Sequence, residues 1–319
     1  MKQSYLSQCS LPLLKQRAFL LQKIRQYFES ETVLEVETPI LSSAGNTDIH
    51  IDSFTSQAIH RDFEKSYLRT SPEFPLKRLI CSGVGDVFEI GKVFRYGEVS
   101  RTHNIEFTLL EWYRLGFDYL QLIRDVESLF FSLFDAFNVS YESSQTLTFF
   151  QSFQNVLAIN IEEITLKELN QICIANDYSG SVLSKDEALD YLFACHIQPQ
   201  LAKNCLTFIT HYPASQAALS QIDSENPQYS LRFEVFYQGQ ELGNGYQELT
   251  DAKELLHRFE KDNSKRGTNA IRIDENLIHA MNVGMPACSG IAVGVDRLLM
   301  VLLGIEDISG VLSFNASNS

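Results

Sequence analysis

The chain has 319 residues, of which 45% are apolar, so it can bury one large core or two ordinary ones. Its 40 acidic side chains outnumber its 26 basic ones and give a net charge of −14, which disfavours broad contact with nucleic-acid phosphates. The six cysteines form no C-x-x-C pair, and the first ten residues contain no apolar signal segment. Because the longest apolar run, Leu298 to Leu303, is too short to cross a bilayer, we predict a cytoplasmic protein with reduced cysteines and no membrane association.

Periodic apolar residues dominate the first part of the chain. Their helical spacing predicts an amphipathic helix over 11–31. Short strands are predicted over 33–39, where Pro39 ends the alternation, and over 66–72. A helix is predicted over 75–83.

A β-hairpin is predicted next. Two short strands, 87–90 and 92–95, precede a polar loop and a longer, aromatic-rich strand that begins at Phe107. A helix follows over 118–137, whereas residues 140–204 show no clear pattern.

In the C-terminal part of the chain, glycines indicate where predicted strands end. A strand is predicted over 205–213, and two strands within 232–251 are predicted to break at Gly239 and again at Gly243 and Gly245.

The remaining elements complete the fold class. A polar helix is predicted after Thr250 or Asp251 as cap, and a glycine-bounded strand runs into a helix that opens with Asp296 and Arg297. Strands grouped in hairpins with helices between them predict an α+β fold with a largely antiparallel sheet flanked by helices. Neither of the two common glycine-rich phosphate-binding motifs is present.

The hairpin concentrates cations. Arg95, Arg101 and His103 could clamp a triphosphate, because charge-assisted bonds from arginine to phosphate are strong. A solvated charged loop is the alternative.

Three further features carry candidate chemistry. Glu234 and Glu241, on either side of a predicted turn, could hold Mg²⁺, although exposed strand glutamates would look the same. Asn244 and Glu248 could grip an ammonium group or merely flank a tight turn. Arg297 opposes the dipole of its helix, so it needs an anion, either a phosphate or a surface glutamate.

In their order along the chain, these fragments resemble the three signatures of the class II aminoacyl-tRNA synthetase catalytic domain, in its lysyl branch. E-V-E-T-P (35–39) resembles the first, dimer-forming signature, the hairpin resembles the second, and G-I-A-V-G-V-D-R (290–297) resembles the third. T-S-P-E (70–73) and the stretch 241–252 are similar to segments of the lysyl branch.

Several features narrow the resemblance. The matching domain starts almost at residue 1, without the N-terminal anticodon-binding barrel of lysyl-tRNA synthetases, and Ala292 replaces a glycine of the third signature. These features, and the stretches 213–221 and 283–297, are similar to the short paralogues that attach lysine, characteristically the β-amino isomer, to a lysine of translation elongation factor P. The resemblance thus implies one catalytic domain over 1–319 with no anticodon-binding domain.

The resemblance also implies roles for individual residues, with Arg95 and Arg297 as the catalytic pair. The implied ATP contacts are Arg95, Arg101, His103, Asn104, Phe107, Glu241, Leu242, Gly294 and Arg297. The implied lysine contacts are Ser71, Pro72, Glu73, Tyr113, Asn244, Glu248 and Ala292, and the implied Mg²⁺ ligands are Glu234 and Glu241. Gly97 stands where the family has a glutamate that meets adenine, and Glu98 is the candidate replacement.

The implied activity is that of an AMP-forming ligase. Lysine, as the (R)-β isomer, would be activated by ATP and Mg²⁺ and transferred to elongation factor P by a homodimer that does not use tRNA. Two alternatives remain: a shortened synthetase that charges tRNA, and a non-catalytic paralogue that binds lysine and ATP.

Overall fold

The structure is a computed structural model, and it describes residues 6–7, 9–57 and 65–317. The N-terminal segment from which we predicted the absence of a signal peptide lies partly outside these residues. The helices are α1 (Leu11–Ser30), α2 (Glu73–Cys81), α3 (Tyr119–Phe137), α4 (Phe149–Leu157), α5 (Leu166–Ala175), α6 (Lys185–Leu192), α7 (Ala252–Arg266), α8 (Glu275–Gly284) and α9 (Val295–Leu303). The strands are β1 (Leu34–Glu35), β2 (Leu41–Ser42), β3 (Thr55–Gln57), β4 (Lys65–Leu68), β5 (Val87–Phe94), β6 (Glu106–Leu115), β7 (Ser143–Thr148), β8 (Cys205–Thr210), β9 (Arg232–Tyr237), β10 (Gln240–Gln247) and β11 (Cys288–Gly294).

The chain divides into two units, Met1–Val139 with Glu248–Ser319, and Ser140–Gln247. In the first unit the strands run in the order β1-β5-β6-β11, with β1 parallel to β5 and the other pairs antiparallel. Strands β2, β4 and β3 form a separate antiparallel sheet.

Strand β6 separates the core of the first unit from its polar face, because successive side chains of a strand point to opposite sides. Trp112 is fully buried and packs on Phe28 of α1, which stacks on Phe88 of β5 with ring centroids 4.4 Å apart. The indole of Trp112 donates to Asp125 of α3 at 3.0 Å. Glu111 and Tyr113, its neighbours in sequence, therefore face the other side of the sheet.

The second unit has the strand order β10-β9-β8-β7, in which only β7 and β8 are parallel. Helices α4, α5 and α6 cover it with an apolar cluster that includes Phe149, Phe153, Phe193 and Phe236. Residues 140–204, for which the sequence pattern predicted nothing, thus hold a strand and three helices.

The α+β fold with a mainly antiparallel sheet is confirmed, and so are the predicted helices α1 and α3 and the Asp251 cap of α7. The predicted break at Gly243 and Gly245 is wrong. Strand β10 continues through both glycines, and a β-bulge between Glu241 and Gly243 absorbs the irregularity.

The other differences are smaller. The two short strands predicted over 87–95 are one strand, β5, and the strand predicted over 33–39 contracts to the two residues of β1. Helix α8 was not predicted. No disulfide links the described cysteines, and no described helix is long and apolar enough to cross a membrane.

Candidate functional site

The β5–β6 hairpin holds its arginine over an aromatic ring. Arg95 follows the last residue of β5, and its guanidinium carbon lies 5.1 Å from the centroid of the Phe107 ring. Gly97, in the turn, has φ +80°, a conformation that disfavours a glutamate side chain at this position. Glu98 approaches Arg95 only to 3.6 Å, which exceeds hydrogen-bond distance, so this guanidinium is loosely paired.

The start of α9 meets the same hairpin. Asp296 accepts from the backbone amide of Thr108 at 2.7 Å and from Arg17 of α1 at 2.5 Å, which fixes α9 against β6. Arg297, one residue on, donates to Nε2 of His103. The other ring nitrogen of His103, Nδ1, lies 2.7 Å from Ser100 Oγ.

The other residues expected at the nucleotide differ in their surroundings. Arg101 is largely exposed and pairs with Glu306 at 3.3 Å. Asn104 is buried, donating to the carbonyl of Glu106 at 2.7 Å and accepting from the amide of Ala316 at 2.9 Å. Its amide already braces the hairpin against the C-terminal segment.

A group of buried and partly buried side chains covers the polar face of β6. We call this group the carboxylate pocket; it consists of Ser71, Glu73, Lys77, Glu111, Tyr113 and Glu248. Glu111 accepts from Ser71 Oγ at 2.6 Å and from the Tyr113 hydroxyl at 2.7 Å. The Lys77 ammonium lies 2.6 Å from Glu73 Oε1 and 2.7 Å from Glu248 Oε2. Pro72 precedes α2, at whose first residue Glu73 stands.

Burial controls the protonation of this pocket. It raises the pKa of Glu111 to about 7, and Glu73 adds to the rise while Ser71 and Tyr113 oppose it. Burial raises the pKa of Glu248 to about 8 against the attraction of Lys77, and Glu73 and Glu111 contribute repulsion. Burial alone would lower the pKa of Lys77, but Glu248 and Glu73 outweigh it and raise that pKa.

Strand β11 supplies only small residues above the pocket. Gly290 lies opposite Tyr113 in the register, Ala292 opposite Glu111 and Gly294 opposite Leu109. A Cβ at Gly290 would lie 2.4 Å from the Tyr113 ring and 2.8 Å from Glu248 Oε1. Glycine is therefore required at 290 for packing, whereas a Cβ at Gly294 would approach Arg297 only to 3.9 Å.

Gly290→Ala is expected to destabilise the protein by about 1–3 kcal/mol, as overpacked cores do. The added methyl displaces the Tyr113 ring and with it the hydrogen bond to Glu111. Urea denaturation measures the change, with Gly294→Ala as the matched control, for which we expect a loss below about 1 kcal/mol. Equal stability of Gly290→Ala and the parent chain would contradict this packing.

The acidic pair of the second unit lies on adjacent strands. Glu241 pairs with Phe236 in the register and Asn244 with Glu234, so the two glutamates are diagonal neighbours on one face. Arg232 contacts Glu234 and also donates to Asn244 Oδ1 at 3.2 Å.

The two carboxylates of the second unit, Glu234 and Glu241, repel each other, so a divalent cation between them would be favourable. Burial raises the pKa of Glu234 to about 7; Arg232 opposes the rise and Glu241 adds to it. A cation between the two carboxylates would favour their ionised forms, and oxygen ligands suit Mg²⁺. Among the described residues no group of three His, Cys, Asp or Glu side chains could hold a metal.

Asn244 and Leu242 belong to the second unit as well. The Asn244 amide donates to the Tyr246 hydroxyl at 2.9 Å, and Leu242 is buried. The first unit itself brings together Ser71, Glu73, Tyr113 and Glu248 in one group and Arg297 and His103 in another.

Sequence reasoning missed Lys77 and Arg232, the cations that pair with the carboxylates, and also Glu111. Glu73 and Lys77 are four residues apart, the spacing of a helical ion pair, but the helix predicted over 75–83 began too late to include Glu73. No local pattern pairs Lys77 with Glu248, which is 171 residues further along the chain.

Comparison with known families covers nearly the whole chain. The family model described as tRNA synthetases class II (D, K and N) matches residues 6–318.

Proposed function

Because the chain belongs to the family of class II tRNA synthetases (D, K and N), we propose that it activates lysine with ATP and transfers it to a lysine of elongation factor P. Membership implies ATP-dependent ligase activity, since this family activates amino acids with ATP and Mg²⁺. The carboxylate pocket is the observation that carries lysine as substrate, because it holds three carboxylates, buried carboxylates require cationic partners, and Lys77 supplies only one cation.

ATP is assigned to the hairpin and the start of α9. Arg95, with its loose ion pair, would meet the α-phosphate, and the Phe107 ring would stack on adenine. Arg101, His103 and Arg297 would bind the outer phosphates. Asn104 and Gly294 would shape the nucleotide site. For Leu242, a nucleotide contact is implied by the sequence resemblance alone.

Magnesium is assigned to the second unit. Glu234 and Glu241 would hold Mg²⁺, which when bound screens phosphate charge and acts as a Lewis acid. One catalytic domain of residues 1–319 is proposed from the sequence resemblance alone.

Lysine is assigned to the carboxylate pocket. Glu248 would accept from the distal ammonium, with Tyr113 beside it, and Glu73 would accept from the other amino group. For Asn244, in the second unit, an ammonium contact is implied by the sequence resemblance alone. Ser71 and Pro72 would line the pocket, and Ala292 would limit its depth.

The first reaction step needs no general base. The lysine carboxylate is ionised at pH 7 and attacks the α-phosphorus of ATP, so an acyl–oxygen–phosphorus link forms and pyrophosphate leaves. Arg95 and Arg297 stabilise charge that develops on the phosphoryl oxygens and the leaving group. In the second step the neutral ε-amine of the acceptor attacks the acyl carbon, an amide forms, AMP leaves and the amine loses a proton.

Elongation factor P is proposed as the acceptor because Ala292 and the stretches 213–221 and 283–297 are similar to the short paralogues that modify it. The acidic balance of the chain supports a protein acceptor over tRNA, whose binding depends on cationic contact with phosphates. The cysteine content and the dimer-forming signature support a cytoplasmic homodimer.

Mass spectrometry of elongation factor P after incubation with this protein, ATP, Mg²⁺ and each lysine isomer tests the proposal. We expect one lysine of elongation factor P to gain one lysyl mass, and tRNA that is present in the same mixture to remain without attached lysine. Labelling of tRNA without modification of the protein would overturn it.

The KM for lysine is expected to rise as pH falls below about 8. The pKa values of Glu248 and Glu111 are raised, to about 8 and about 7, and an ammonium group binds their ionised forms, so protonation on the acid side competes with lysine. Where lysine binding displaces one proton, the KM for lysine should rise by up to about tenfold for each pH unit that the pH falls. Steady-state pyrophosphate release between pH 6.5 and 9 measures it, and a constant KM from 6.5 to 8 would contradict the assignment.

Ala292→Gly is expected to raise activity with α-lysine relative to β-lysine. Ala292 lies opposite Glu111, and one methyl in a substrate pocket discriminates by about 1–3 kcal/mol. The ratio of kcat/KM for the two isomers measures the change, and an unaltered ratio would show that this methyl does not select the isomer.

A further inference from the structure

Lys77 is a buried cation to which the proposed reaction assigns no role. It lies on α2 with 1% of its side chain exposed, and lysine is almost never buried to this degree unless it is paired. Its ammonium contacts Glu73 at 2.6 Å and Glu248 at 2.7 Å. These are the two carboxylates assigned to the amino groups of the substrate.

The surroundings of Lys77 are strongly acidic. Glu73 lies one turn earlier on α2, Glu248 follows β10, and Glu111 of β6 is close enough to Glu248 to add repulsion. The remaining titratable neighbours, Cys81, Cys288 and Tyr113, are neutral at pH 7 because burial raises their pKa values above the ordinary range. Three carboxylates thus face one ammonium.

Glu89, a carboxylate that has a cation of its own, shows by comparison what Lys77 contributes to Glu73 and Glu248. Glu89, opposite Glu111 in the register, has its own guanidinium, Arg69, at 2.6 Å and also accepts from Thr38 at 2.6 Å. Without Lys77, Glu73 and Glu248 would lose the ammonium that both contact, and like charges in a buried site cannot remain ionised together.

We propose that Lys77 is a positioning residue that favours the ionised forms of Glu73 and Glu248 and orients both carboxylates for the two ammonium groups of the substrate. When a substrate with two ammonium groups draws Glu73, Glu111 and Glu248 into their ionised forms, these three carboxylates and Lys77 sum to two negative charges, which matches a diamino acid and disfavours an amino acid with one ammonium. This inference rests on the proposed function, since that function identifies the pocket as the lysine site.

Lys77→Met tests the inference, because methionine is unbranched and only one atom shorter than lysine, and it removes the charge. At pH 7 we expect the KM for lysine to rise at least tenfold, since protons occupy the carboxylates and must be expelled. By pH 9 the difference from the parent should shrink to about threefold or less, and kcat at saturating lysine should stay within about threefold. Lys253→Met, an exposed lysine on α7, is the matched control and should behave as the parent does.

A variant that retains the charge keeps the test decisive if Lys77→Met does not fold. Lys77→Arg should preserve the parental pH dependence of the lysine KM, even if its kcat falls. A KM increase that is equal at every pH, or a Lys77→Arg profile displaced to higher pH, would overturn the positioning role. If the parent itself shows no lysine-dependent pyrophosphate release, the proposed function fails; if only the variants behave unexpectedly, this inference fails alone.

Discussion

Arg95→Ala is expected to lower kcat/KM for ATP in lysine activation by at least about a hundredfold, because the guanidinium is assigned to charge that grows in the transition state. Its present partners, Glu98 at 3.6 Å and the Phe107 ring, are weak, so a phosphate would replace them at little cost. Lysine-dependent pyrophosphate release with varied ATP measures the effect.

The matched control for Arg95→Ala lies on the same hairpin. Lys92 is half exposed on β5 and pairs with exposed Glu106 at 3.3 Å, so Lys92→Ala removes a cation whose ion pair contributes little. We expect its kcat/KM to stay within about twofold of the parent. Equal losses in the two variants would mean that Arg95 acts only through the general charge of the hairpin.

Glu248→Gln is expected to lower kcat/KM for lysine by at least about thirtyfold, as removal of one partner from a buried charge pair does. The amide keeps the shape of the side chain but attracts neither the substrate ammonium nor Lys77 as strongly. Because Glu248 lies among the lysine contacts, the KM for ATP should change little. Separate titrations of lysine and ATP measure both values.

Glu254→Gln is the control for Glu248→Gln. Glu254 is exposed on α7, where it pairs with Arg258 at 2.9 Å one turn later. We expect activity close to that of the parent, since exposed pairs of this kind contribute about 0.3–0.5 kcal/mol. A lysine KM for Glu248→Gln within about threefold of the parent would remove Glu248 from the ammonium site.

Local patterns were sufficient where one segment determines its own structure. The apolar stripe of α1, the hairpin around Phe107 and the Asp251 cap of α7 each depend on residues within a few turns. The same patterns failed at β10, because a β-bulge lets a strand pass through Gly243 and Gly245 without ending.

Residues 140–204 contain three capping boxes, a sequence pattern that marks helix starts and that our prediction overlooked. Helices α4, α5 and α6 begin after Thr148, Thr165 and Ser184, each followed three residues later by a glutamine or glutamate. In every case the two side chains satisfy each other's backbone amides. This pattern is readable from sequence, although the apolar periodicity around it is weak.

The charge partners of the candidate site could not be predicted in this way. Lys77 with Glu248 and Arg297 with His103 join residues 171 and 194 positions apart, so tertiary packing alone brings them together. The family resemblance assigned roles to Arg297, His103 and Glu248, but it did not indicate that Lys77 would neutralise the carboxylates. Burial creates that requirement, and burial is a property of the folded chain.

Lysine-dependent exchange of labelled pyrophosphate into ATP tests most directly whether one bound nucleotide is attacked by lysine. With the full chain and Mg²⁺ present, exchange should require lysine, should be faster with the β isomer, and should be absent with aspartate or asparagine. Exchange with neither lysine isomer, or equal exchange with aspartate, would contradict lysine activation at this site.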